Sequence, residues 1–363
     1  MRGVDVTQEA LFTTVRLEDF VAADHPLRKI RVLVDAALKR MSGLFNTLYA
    51  DGGRASIPPE KLLRAQLLQA FYSVRSERLL MEQLNYNLLF RWFVGLAIED
   101  AVWDHSVFSK NRDRLNKESV AAAFLAEVVR LAEREGLMSD EHFSVDGTLL
   151  QAWASHKSFK PKDGSGEGGG GGPRNAPPDF KGQQRRNDTH ASTSDPDARL
   201  FRKGNTGAQL SYMGHALMEH RSGLVRAARV SHADGHGERQ SALSLLDELP
   251  GQRRRTLAAD KAYDTADFVA GCRERGVTPH VAQNNSGRRS AIDRRTTRHA
   301  GYAVSIRIRA WIETHFGWIK SVANTRQVKQ RGLARVEALF QFAMAASNLV
   351  RLPKLLATAG GRA

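Results

Sequence analysis

The stretch HFSVDGTLL, residues 142–150, ends one kind of sequence and begins another. From Pro26 to about Gly136 apolar residues recur at helical spacing, as in Leu62, Leu63, Leu67, Leu79, Leu80, Leu84 and Leu88. That periodicity predicts an all-helical N-terminal region of core-packing stripes. Pro58 and Pro59 suit a first helical turn and Gly136 a helix end. At Glu141 the pattern shortens to alternating or β-branched runs: HFSVDGTLL, then SYMGHALMEH (211–220), LVRAARVSHA (224–233), TLAADKAY (256–263) and TPHVAQ (278–283). Helical patterns at 238–249 and 265–276 separate the last three, so the region predicts an α/β sheet domain. Two long helical patterns follow, at 303–327 and 336–356.

The expected organisation is a helical domain at 1–138, an α/β domain at 139–350 and a short tail at 351–363. A flexible insertion is expected at 155–205, where SGEGGGGGP offers nothing to pack. It reads as a tether, with closure of Arg174, Arg185 and Arg186 over DNA as the alternative.

Of the 363 residues, 42% are hydrophobic and 26% charged, which is ordinary for a globular protein. The 54 Lys and Arg outweigh 39 Asp and Glu, giving a formal charge of +15. A polyanionic partner is implied. Nucleic acid is preferred to an anionic membrane, because no basic amphipathic helix with a Trp-rich face stands out. The single cysteine, Cys272, excludes an intrachain disulfide and reads as an inert packing residue. No long apolar run and no leader pattern is seen, so a cytoplasmic, nucleoid-associated protein is expected.

The chemistry rests on three acids. Asp146 sits in a strand-like run and precedes glycine, where a carboxylate would point from a sheet into a cleft. Asp260 ends another such run, and strand ends of an open α/β sheet are where ligands gather. Glu313 lies in a helical pattern with Arg309 four residues before it and Lys320 seven after, all expected on one face. Each has a plainer reading: a loop or cap residue for the aspartates, a solvated Arg and Glu pair for Glu313. Asp264, before TADF, is expected to cap a helix. Three carboxylates would supply hard oxygen ligands for two Mg²⁺ or Mn²⁺ ions, with Arg309 and Lys320 holding DNA phosphates beside them.

Asp146 in VDGT, Asp260 in ADKAY and Glu313 in RAWIETHFGWIK resemble the catalytic acids of the insertion-sequence transposases of the IS4 and IS5 groups. In that family's helical signature the Arg, Glu and Lys fall on Arg309, Glu313 and Lys320, while Ile306 replaces the Tyr and Tyr302 lies one turn earlier. VRSERLLMEQLNYNLLFRWFVGL (74–96), VWDHSVFSKNRDRL (102–115), RNDTHASTSDPDARLFRKG (186–204) and HADGHGERQSAL (232–243) resemble further segments of IS5-type enzymes. The resemblance implies an RNase H-like mixed five-stranded sheet with flanking helices. It also implies cutting of transposon inverted-repeat ends and joining of a 3′-OH to target DNA by a homodimer or higher oligomer on double-stranded DNA. A repressor with vestigial acids and another RNase H-like nuclease are the competing readings.

Three weaker signals rank lower. His232, Asp234 and His236 could hold zinc but sit in a glycine-rich turn. Trp311 and Trp318 read as core residues, with stacking on an unpaired base as the alternative. No glycine turn divides the helices at 76–95 into a helix-turn-helix.

Overall fold

A computed structural model describes residues 16–49, 56–117, 119–163, 185–202, 207–235, 237–251 and 253–360. The glycine run at 165–173, Arg174 and His236 lie outside them.

The N-terminal region is helical from Leu17–Phe20 through Val120–Arg134. Pro59 opens the helix Pro59–Phe71 at its first turn, where no N–H is needed, and Gly136 takes φ +62° just after Arg134. The helical pattern at 74–96 divides at Asn87, whose side chain accepts the Phe90 N–H at 3.1 Å and starts a second helix.

Among the described residues nine strands follow: β1 (His142–Ala152), β2 (Phe159–Pro161), β3 (His190–Ser192), β4 (Arg199–Phe201), β5 (Gln209–Glu219), β6 (Val225–His232), β7 (Arg255–Ala259), β8 (Val277–Val281) and β9 (Gln327–Val328). The five longest lie in the order β6-β5-β1-β7-β8. β6, β5 and β1 are antiparallel neighbours, while β1, β7 and β8 run parallel. The helix Gly237–Asp247 joins β6 to β7, and Ala266–Glu274 joins β7 to β8. This mixed, helix-flanked sheet is RNase H-like, as the sequence predicted.

Strand alternation sorts the side chains of β1 onto two faces. Phe143 and Val145 face a core with Leu245, Leu257, Tyr263, Phe268 and Cys272. Leu150 and Ala152 face a larger core with Ile312, Phe316 and Phe340. That larger core continues into the N-terminal helices, where Phe124 stacks on Phe342 with ring centroids 5.5 Å apart. Its centrepiece is the helix Leu333–Gly360, which carries Pro353 inside it and includes most of the segment read as a tail. At Gly214 on β5 this helix comes so close that an added Cβ would stand 2.6 Å from the Phe340 ring.

Two expectations are corrected here. The insertion is not structureless at its ends: β2 pairs with β3, and β4 extends the sheet along β5. Arg185 and Arg186 fall beside this small ladder. The pattern at 303–327 is not one helix either. It splits into Ala300–Arg309 and Ile312–Ser321, because Trp311 and Glu313 bond back three residues, to Ile308 and Ala310, and not four. No helix of the described residues is long and apolar enough to cross a membrane.

Candidate active site

Asp146 and Asp260 lie on neighbouring parallel strands. The pairing of β1 with β7 runs as far as Ser144 level with Ala258; Asp146 is two residues further along β1, and Asp260 is the first residue beyond β7. Both stand on the face opposite the Val145 and Ala259 side chains, which lie in the smaller core. There β7 leaves the sheet. β1 then has no described strand on that side until Gln151 and Ala152 pair with β9, which leaves a gap in the strand pairing along residues 145–150.

Asp146 is buried, 6% exposed, and its Oδ1 accepts the Gly147 N–H at 2.7 Å. Its Oδ2 faces Arg309 Nη1 at 3.4 Å, a partly buried ion pair. The solvated Arg309 and Glu313 pair, the plainer alternative for Glu313, is not the ion pair formed; Arg309 pairs with Asp146. Arg309 Nε is buried and has no hydrogen-bond partner among the described residues. Asp260 is half-buried and its Oδ1 accepts the Ala262 N–H at 2.8 Å, starting the single turn Lys261–Tyr263.

Glu313 lies in the first turn of Ile312–Ser321, exposed beside the fully buried Ile312. His315 fixes that helix. Its Nε2–H donates to Gly223 O at 2.7 Å and its Nδ1 accepts from Ser347 Oγ at 2.8 Å. Burial holds its pKa down to about 4, so the ring is neutral at pH 7. Among the described residues no three His, Cys, Asp or Glu side chains converge closely enough, as they stand, to hold a metal ion.

Lys320 lies seven residues beyond Glu313, about 10 Å along the helix. It lines a cleft of about 420 Å³ with Arg75, Trp153, Arg326 and Lys329. The β1–β9 pairing builds this cleft by setting Arg326 and Lys329 against the end of β1, where Trp153 is 45% exposed. Arg75 comes from the N-terminal region, so its place beside Lys320 was invisible to any local reading. Trp311 corrects an expectation, being 43% exposed and not core, whereas Trp318 packs edge-on against Phe71 at 6.5 Å.

Asp264 is not the expected helix cap. Thr265 fills that role, accepting from the Phe268 N–H. Asp264 is 1% exposed and its two oxygens accept the Asn284 and Ala291 N–H groups at 2.7 and 2.9 Å, holding the loop after β8. Cys272 is buried and burial pushes its thiol up to about 12, as an inert packing residue requires. His232 Nδ1 lies 2.8 Å from Asp197 O.

A family model described as a transposase DDE domain matches residues 139–349, and one described as a transposase domain of the DUF772 type matches residues 15–114. Among solved structures, the chain is similar to a piggyBac transposase synaptic complex with hairpin DNA, at 8% identity and a TM-score of 0.42, over 93% of this chain and 76% of that one. It is also similar to the Mos1 strand transfer complex, at 12% identity and a TM-score of 0.25, over 93% and 92%.

Proposed function

The chain belongs to the transposases that carry a DDE domain, and from that premise we propose that it is an insertion-sequence transposase of the IS5 type. It cuts the ends of its element in double-stranded DNA and joins the freed 3′-OH to a target, acting as a dimer or larger assembly. Asp146, Asp260 and Glu313 are its catalytic acids, and Arg309 and Lys320 hold DNA phosphate. The observation that carries this reading is the parallel pairing of β1 with β7, since Asp146 follows the paired stretch on β1 and Asp260 follows the end of β7.

The donor set fits a hard divalent cation, since all three acids offer carboxylate oxygen, the ligand Mg²⁺ and Mn²⁺ take. When bound, two such ions activate the attacking oxygen and stabilise the leaving one. Arg309 answers to the same charge. Its guanidinium neutralises Asp146 in the metal-free protein, and a guanidinium has the donors to hold a phosphate oxygen as well. Lys320 and the neighbouring cations Arg75, Arg326 and Lys329 continue the positive path away from the acids, and steer and hold the DNA backbone. The helix carrying Glu313 keeps its place because Ile312, Phe316 and Ile319 are buried in the larger core.

The test is a supercoiled plasmid bearing the short inverted repeats that flank the gene. Breaks at the repeat ends with Mg²⁺ or Mn²⁺, lost in excess EDTA, are the expected result. Binding without cleavage would make the chain a repressor, and cutting confined to branched DNA would make it a resolvase.

A further inference from the structure

The gap in strand pairing along β1 is approached by a fourth carboxylate, carried by the helix Gly237–Asp247 from the opposite face of the sheet. We propose that Glu238 is a further metal-ligating residue of the site, joining Asp146 and Asp260 around one divalent cation; this rests on the reading of those acids given above.

Gly147 is the first observation. It follows Asp146 directly, and a Cβ there would stand 2.9 Å from Glu238 Oε1 and 3.4 Å from its Cδ. Glycine thus lets the Glu238 carboxylate lie against the strand one residue from Asp146. Tyr263 is the second, independent one. It is 1% exposed, and its hydroxyl has no hydrogen-bond partner among the described residues. A buried hydroxyl in that condition is costly unless something completes the site. Burial raises its pKa first, then the negative charge of Glu238, Asp146 and Asp260, with Arg239 acting the other way, so the phenol lies within electrostatic reach of these carboxylates. Topology explains the approach. Because β1 lacks a described strand neighbour at 145–150 on the β7 side, a side chain from the far face reaches the edge that Asp146 and Asp260 share. Arg239 keeps the helix end in place, its Nη1 donating to Ala262 O at 3.4 Å in the turn that follows Asp260.

Calorimetric titration of the full-length protein with Mn²⁺ tests this, with metal-free melting temperature measured on the same samples. Wild type binds, Asp146→Asn does not, and Glu238→Gln loses about 10–100-fold in Mn²⁺ affinity with its metal-free melting temperature unchanged. Gly147→Ala retains all four carboxylates but displaces that of Glu238, and weakens Mn²⁺ in the same direction. Wild-type affinity in Glu238→Gln beside loss in Asp146→Asn would remove Glu238 and leave the three acids standing. A lowered metal-free melting temperature with unchanged affinity would also overturn the proposal, by making Glu238 structural. Unchanged binding in Asp146→Asn, or no binding by wild type, would overturn the underlying reading of the acids and the ligand role of Glu238 with it.

Discussion

The turn at the end of β7 and the loop it leads into each hold an aspartate, four residues apart, and the two carboxylates have opposite fates. Asp260 is half-buried and accepts one backbone N–H, in the adjacent turn, which leaves it oxygen lone pairs for another partner. Asp264 is closed off from water, and both its oxygens take backbone amides from the loop after β8. A carboxylate saturated by backbone amides stabilises the fold. One with spare acceptor capacity at a strand end can bind something else. The residue type is the same; the partners decide.

The largest effect that would break this comparison is on catalysis. Asp146→Ala, Asp260→Ala or Glu313→Ala abolishes DNA cleavage while DNA binding stays near wild type, as gel shift and cleavage assays on one preparation would show; wild-type turnover in any of them removes that residue from the site. Next comes stability. Asp264→Ala leaves two amides without an acceptor and lowers unfolding free energy by about 2–4 kcal/mol, read from a urea midpoint, while cleavage persists below the melting temperature.

Buried histidines sharpen the same distinction through pH. Burial, with the neighbouring histidines, lowers His220 and His280 to about 4, below the ordinary value of 6.5. The unfolded chain therefore binds more protons between those values. Their contribution to stability is present above about pH 6.5 and is lost as pH falls toward 4, and urea midpoints across that range would show the decline. A flat profile would mean that these rings are already protonated in the fold. The smallest effect is electrostatic. Lys320→Ala should make the slope of log affinity against log salt shallower by about 1, and an unchanged slope would make its place in the helix structural.

What was legible in the sequence follows one pattern. Alternation marked β1, β5, β6, β7 and β8, and Pro59 and Gly136 marked helix ends, because each signal is local. Asp264 was misread because its acceptors' donors, Asn284 and Ala291, lie 20 and 27 residues away. The break at Ala310 and Trp311 involves neither proline nor glycine, so periodicity ran across it. Trp311, beside Glu313 in the helical pattern, was expected in the core, yet its neighbour Ile312 takes the buried position. The cleft partners Arg75 and Lys320 come from opposite ends of the chain. Motif singled out Asp146, Asp260 and Glu313, whereas the parallel pairing of β1 with β7 that brings the strands of the first two together required the sheet.

The central claim is that Asp260 acts at the metal-dependent site and Asp264 only in the fold. Asp260→Ala and Asp264→Ala, purified together and tested on supercoiled plasmid carrying the element ends with Mg²⁺, measure it directly. The account predicts no cleavage by Asp260→Ala at a wild-type melting temperature, and cleavage by Asp264→Ala at a lowered one. Cleavage by Asp260→Ala, with activity lost in an Asp264→Ala protein that remains folded, would contradict it.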